Sequence, residues 1–359
     1  MIKPFYPKLL PVGLADNVLL KLYKKVVIAR SKITEFSTLL ERNFISDDLI
    51  CLFSLNESVQ STRIEGTQAT FDEIMEAQAT HKYKIETLEV QNYLDALNLG
   101  VEMLKELPIS TRLIFRLHEI ILKDGRGKNR APGTYRKTQN WIGPTKRIED
   151  ATYIPPPPDK IDCYISNLEN YINDNIAEDI DPLIKIAVIH AQFESIHPFL
   201  DGNGRVGRIL IMLYLLDKKI IKEPTFFVSE ELERNKFKYY SMLNGLRKDN
   251  PEWEEWILFF LDAVVSQAEK NIEKIRKIEK LYGIMEDVVR NENIKQEYLN
   301  VIFRFPIFTY KQIQNELNVS YTAVKNNMNK LLKSKKIFTD DKRRNTLYFF
   351  VDLLDILRN

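Results

Sequence analysis

Apolar residues recur at three- and four-residue spacing along most of the chain, a period that predicts a mainly α protein. Leu113-Ile114-Leu117-Ile120-Ile121, Leu183-Ile186-Ala187-Ile189-His190-Phe193 and Trp256-Phe259-Phe260-Ala263 show it plainly. Between Gly125 and Pro158 the helical period is lost. There Gly, Pro and Thr punctuate two short β-like pieces, residues 138–143 and 152–154, ahead of Pro155-Pro156-Pro157-Pro158. Such a stretch predicts a β-hairpin, or flap, standing on a helical body.

A polar helix from Ala263 to about Glu292 carries Glu269, Lys270, Glu273, Lys274 and Lys277, and is expected to link the body to a separate C-terminal unit. That unit reads as a helix ending near Leu317, a short turn, a second helix capped by Ser320, and two strands between Ile337 and Val351 around residues 340–345. This order predicts a winged helix-turn-helix. The expected divisions are a helical region at 1–105, a central helical domain at 106–262, the linker at 263–294 and the winged unit at 295–359.

Composition changes this picture little. Of the 359 residues 44% are hydrophobic and 28% charged, which allows two or three packed domains. Lys+Arg total 52 against Asp+Glu 50, so the net charge of +2 selects no class of partner. The two cysteines, Cys51 and Cys163, lie far apart, which argues against a disulfide framework or zinc knuckle and for a reducing, cytoplasmic setting. The first seven residues are broken by Pro4 and Pro7, unlike a signal peptide, and the apolar run 209–216 is too short for a membrane span, so a soluble chain is expected.

The chemistry is concentrated in His197-Pro198-Phe199-Leu200-Asp201-Gly202-Asn203-Gly204-Arg205-Val206-Gly207-Arg208. Pro198 disfavours helix at the residue before it, so a helix must end near His197, and a new apolar helix starts near Val206. Between them, Asp-Gly-Asn-Gly tolerates positive φ and close approach of a ligand. A glycine-rich turn at a helix start presents free N–H groups to phosphate. Arg205 and Arg208 share a helix face above it, Asp201 offers a hard oxygen for Mg²⁺, and His197 can serve as a general base. Singly, a helix-ending histidine is more often a packed residue and a Gly-x-Gly is only a turn; together they make a phosphate-transfer site.

The run is identified as the motif of the Fic family, H-P-F-x-[DE]-G-N-G-R-x-x-R, with no departure. The resemblance implies a Fic helical core with a β-hairpin flap, occupying 106–262, and transfer of AMP from ATP to a Ser, Thr or Tyr hydroxyl of a target protein. It implies that His197 deprotonates the hydroxyl and that Asp201 binds Mg²⁺. Gly202, Asn203 and Gly204 would form the anion hole, and Arg205 and Arg208 would hold the β- and γ-phosphates. The flap would pair with the target backbone, with Thr152, Tyr153 and Ile154 as the docking edge, unless it is a plain surface hairpin. Tyr239 and Tyr240 resemble a tyrosine pair lining the nucleotide pocket, or else are ordinary helix core; Arg247 stands where some relatives have an asparagine.

Upstream, Ser61-Thr62-Arg63-Ile64-Glu65-Gly66 places Ser61 and Glu65 on one helix face before a helix-ending glycine. Alone this is an ordinary surface helix. Beside a Fic motif it resembles the family's inhibitory helix, here about 48–66, whose glutamate pairs with the second arginine, Arg208. The implied protein is autoinhibited by Glu65, labels itself, and has a possible homodimer as its assembly. Removal of AMP from a target is an enzymatic alternative, and a DNA-binding regulator with a nucleotide-sensing core is a rival of another class. From Phe305 to Asn345, nine Lys/Arg face three acids, a net of 9 − 3 = +6, which suits DNA; winged helices also bind proteins.

Overall fold

The computed structural model describes residues 3–358 apart from 44, 146, 341 and 343–345. The N-terminal region holds α1 (Asp16–Glu41), α2 (Ser46–Ile64), α3 (Phe71–Thr80) and α4 (Ile85–Leu104). The centre holds α5 (Thr111–Ile121), α6 (Ile161–Ile172), α7 (Pro182–Ile196), α8 (Asn203–Asp217), α9 (Ser229–Arg234) and α10 (Lys236–Gly245). Then come α11 (Trp253–Asn291), α12 (Gln296–Arg304), β1 (Ile307–Phe308), α13 (Tyr310–Leu317), α14 (Tyr321–Lys333), β2 (Phe338–Thr339), β3 (Tyr348–Phe349) and α15 (Val351–Arg358). Among the described residues no helix is long and apolar enough to cross a membrane.

Helices α7 and α8 pack together at the centre of the body. Asp181 caps α7 by accepting from Leu183 N–H, with Pro182 at the first position, and every residue from Leu183 to Ile196 is buried. A helix buried on every face lies inside, wrapped by others. The loop joining this pair is therefore held between two immobile elements. Around them, α1 buries Leu22, Val26, Ala29, Ile33, Phe36 and Leu40, one stripe at spacings of three and four, against α11.

The expected linker is the outer part of a longer helix. α11 starts at Trp253 and runs for 39 residues without a break. Most of its charges occupy the outer face, though Lys274 is buried against Glu230, and a stripe from Trp256 to Val289 is buried against α1, α7 and α15. The C-terminal elements are likewise seated on the body, with α12 against α2 and β1 against α3. Arg304 lies 3.7 Å from Asp48 and Arg358 pairs with Asp72. Their three strands form an antiparallel sheet in the order β1-β3-β2, with Ile307 and Phe338 flanking Phe349. The turn expected at 340–345 falls mostly outside the described residues.

The flap is a loop closed by one antiparallel bridge, Ile142 to Tyr153, rather than a hairpin of two strands. Ile142 N–H donates to Tyr153 O at 2.8 Å, and Thr152 N–H donates to Ile142 O at 2.8 Å. Pro144 on one side and the proline run on the other supply no N–H groups to extend the ladder.

Candidate active site

α7 ends at His197, which takes the left-handed conformation with φ 49° and ψ 60° while its N–H donates to Phe193 O. Gly202, φ 81°, caps α8, so Asn203, Gly204 and Arg205 form that helix's first turn and their N–H groups are free of intrahelical partners. Asn203 is 2% exposed and its side chain turns back into the loop. It accepts from Phe199 N–H at 2.8 Å and donates to Phe199 O at 2.9 Å. Its side chain thus shapes the turn, leaving its backbone to face an anion. His118 supports the same turn from α5. Its Nδ1 accepts from Gly133 N–H at 2.9 Å, which leaves Nε2–H to donate to Asp201 O at 3.0 Å, and its ring stacks on Phe199 at 3.7 Å.

The His197 imidazole is held neutral: burial, then the nearby Arg247 and Arg136, depress its pKa to about 3. Its Nδ1 is buried without a partner. Arg205 is 7% exposed, and donates to Asp201 Oδ1 at 2.9 Å. Arg208 is bound entirely by α2. Its Nε donates to Ser61 Oγ at 2.7 Å, and Nη2 donates to Ser61 O at 2.9 Å and to Glu65 Oε1 at 2.7 Å. Burial opposes the charge on Arg208, but Glu65 and other neighbouring groups outweigh it, and its pKa is raised.

The Glu65 carboxylate does more than pair with Arg208. A Cβ added at Gly204 would collide with Glu65 Oε1, so the carboxylate lies directly on the first turn of α8. That is where the helix favours an anion. Gly66, φ 93°, provides the left-handed turn just past the end of α2. Behind it Thr67 Oγ1 donates to Glu89 at 2.8 Å, and Arg126 bonds both Glu89 and Thr67.

Two family models match this chain: the Fic/DOC family over residues 108–215 and its N-terminal region over 23–102. The chain belongs to the Fic/DOC family. The chain is 30% identical over 207 residues to a probable protein adenylyltransferase of Aquifex aeolicus, covering 54% of this chain and 56% of that one. It is 27% identical over 118 residues to the protein adenylyltransferase Fic of Drosophila grimshawi, covering 33% and 22% of the two chains. The chain therefore spans about half or less of the length of these curated relatives. A Fic family protein from Desulfovibrio desulfuricans G20 has the same fold at TM-score 0.56 and 18% identity, over 97% of this chain and 98% of that one. Fic-1 of C. elegans follows at TM-score 0.52 and 20% identity, over 74% of each.

Around the Fic loop, Tyr239 is buried and its hydroxyl donates to His190 Nε2 at 2.9 Å, because His190 Nδ1–H faces Gly207 O. Tyr240 is half exposed at the mouth and donates to Ile64 O at 3.2 Å, touching the end of α2. Part of the expected docking edge is already engaged within the protein. Tyr153 O already accepts from Ile142 N–H and Ile154 O accepts from Phe5 N–H at 2.8 Å, while Tyr153 and Ile154 are buried. The Tyr153 hydroxyl bonds Ser195 O and its ring carries the Arg247 guanidinium at 3.8 Å, so it is a structural anchor of the flap.

Mg²⁺ fits Asp201 as a single protein ligand. Its side chain is 40% exposed, with Oδ1 held by Arg205 and by Gly202 N–H. Among the described residues no group of three His, Cys, Asp or Glu could form a metal cage. One carboxylate suits an ion that draws most of its shell from water and phosphate. Several residues here carry no signal in the sequence. Glu194 is buried with Oε1 unpartnered, and burial, opposed by Arg208, raises its pKa to about 7. Arg136 and Asn140 reach the loop from the flap through backbone carbonyls, a kind of contact no motif records.

Proposed function

We propose that this chain transfers AMP from ATP to a Ser, Thr or Tyr hydroxyl of a target protein, itself included, and that Glu65 restrains the reaction. The observation that carries the reading is the carboxylate of Glu65 on Arg208 and Gly204, an anion already seated where a phosphate belongs. In this reading the first turn of α8 and the side chains of Arg205 and Arg208 bind the triphosphate. His197, neutral in the free protein, accepts the hydroxyl proton as the target oxygen bonds to the α-phosphorus and the bond to the β-phosphate breaks, releasing pyrophosphate. Magnesium, held by Asp201, would neutralise charge on the phosphates. The work is positioning and charge compensation.

The helix, strand, helix, helix, two-strand order of α12 to β3 supports a winged helix, with DNA or a second protein as its partner. Both cysteines are free surface thiols, which suits a cytoplasmic enzyme. The test is incubation of the full chain with a lysate and ATP labelled at either the α- or the γ-phosphate. Protein labelling from the α-position alone supports the reading; labelling from γ, or none with the Glu65→Gly chain, rejects it.

A further inference from the structure

A general base is ordinarily aimed by a hydrogen bond to its second ring nitrogen. His197 has little of that support: its buried Nδ1 makes no hydrogen bond of ordinary geometry, and the Glu194 backbone is the one nearby group that favours a proton on the ring. Its direction must then come from its backbone, which sits at φ 49°, a conformation that costs a non-glycine residue energy and persists only where the surroundings impose it.

The group that imposes it is Arg136. Arg136 is 2% exposed, and among the described residues no carboxylate pairs with it. Its donors go to backbone carbonyls instead. Nε donates to His197 O at 3.0 Å, Nη1 to Thr138 O at 3.4 Å and Nη2 to Pro156 O. Its own N–H donates to Pro198 O at 3.0 Å, and Asn140 Nδ2 donates to Phe199 O at 2.9 Å. Three successive carbonyls, 197 to 199, are thus held by one short segment of the flap, while the guanidinium also ties the two sides of the flap together. A buried guanidinium spent on carbonyls alone is costly unless its geometry is used.

We propose that Arg136, seconded by Asn140, is the positioning residue for the base: it fixes the left-handed turn at His197 and so aims the imidazole. This rests on the reading of His197 as the base. It also makes the flap part of the catalytic device, since moving residues 138 or 156 moves the guanidinium that holds His197.

The test uses the full chain carrying Glu65→Gly as parent. Arg136→Lys keeps the charge but has one nitrogen where three served. It should lower kcat for AMP transfer on the order of a hundredfold, the effect of a misplaced catalytic group. ATP affinity should stay within about twofold, because residues 202–208 are untouched. Asn140→Ala should cost about tenfold or less, since Asn203 still holds Phe199 O. In ¹H–¹³C spectra of labelled histidine, the ring signal of His197 should move in both variants while those of His81 and His190 stay. A folded Arg136→Lys with unchanged kcat and an unmoved His197 signal overturns the proposal. So does a parallel loss of kcat, ATP affinity and melting temperature with all histidine signals displaced, which is what a purely structural residue gives. If Arg136→Lys fails to fold, Asn140→Ala decides by the same two readouts. If the parent transfers no AMP, the functional reading fails, and the His197 signal alone still judges the clamp.

Discussion

Replacing Glu65 by glycine removes the anion that occupies Arg208 and the first turn of α8. The magnitude can be worked from the contact. A hydrogen bond between charged groups contributes about 1.5–3 kcal/mol. Glu65 makes one such bond, 2.7 Å to Arg208, and its side chain is 34% exposed, so the lower part of the range applies. About 1.5–2 kcal/mol corresponds to roughly ten- to thirtyfold. The gain should appear mainly in kcat, because ATP can still bind with its γ-phosphate displaced from Arg208 but cannot then align its α-phosphate. The assay is initial-rate labelling with α-labelled ATP, alongside ATP affinity by calorimetry. Glu65→Gln, which keeps the shape without the charge, should fall between. The variant should also melt a few degrees lower, since Arg208 keeps only Ser61 as partner. Equal rates in wild type and Glu65→Gly, with both folded, would make Glu65 an ordinary ion-pair partner and no brake.

Other outcomes follow from the same contacts. Asp201→Ala should abolish turnover at every magnesium concentration while ATP still binds; an unchanged magnesium profile would move the metal elsewhere. Deleting residues after 292 strips α12 from α2 and Arg304 from Asp48, which loosens the helix bearing Glu65. Self-labelling should persist and rise, with no further gain when Glu65→Gly is added, and loss of activity in a folded truncation would contradict this. Burial holds His190 and His197 near 3 and His118 near 4, so each gains a proton on unfolding and its contribution to stability is lost as pH falls below about 6.5. Glu57 and Glu194, raised by burial to about 7, act oppositely between 4.5 and 7. Three protons against two leave about one net proton taken up on unfolding between pH 6 and 5, on the order of 1 kcal/mol per pH unit, stability rising with pH. Denaturant titrations should show it, and a His118→Asn chain should lose it.

The Fic loop was legible because its parts are neighbours in the chain. His197 through Arg208 spell a helix end, an anion-binding turn and a helix start without reference to anything distant. Ser61 and Glu65 were legible only beside that motif, since a serine and a glutamate four apart suit any helix. Contacts made through carbonyls were not legible at all: nothing in Gly133-Thr134-Tyr135-Arg136 announces that the arginine ends on His197 O. Asn203 was expected to serve phosphate, yet its amide spans Phe199, a role decided by the loop's closure. The flap showed the opposite limit. Thr152-Tyr153-Ile154 has strand-forming residues, but Phe5, Ile142 and the core beneath take up most of its groups first. In α11 the charges along one face concealed a buried stripe, and the helix reads as polar from Ala263 only because its apolar half begins at Trp253.

The central claim is that this site moves AMP, with His197 as the base and Glu65 as the brake. Intact-mass spectrometry of the full chain after incubation with ATP and magnesium tests it most directly, comparing wild type, Glu65→Gly, and Glu65→Gly with His197→Ala. A mass gain of one AMP is expected, slow in wild type, fast in Glu65→Gly and absent in the double variant, all three folded and binding ATP. An equal gain with and without His197, or none in Glu65→Gly with protein targets present, would contradict it.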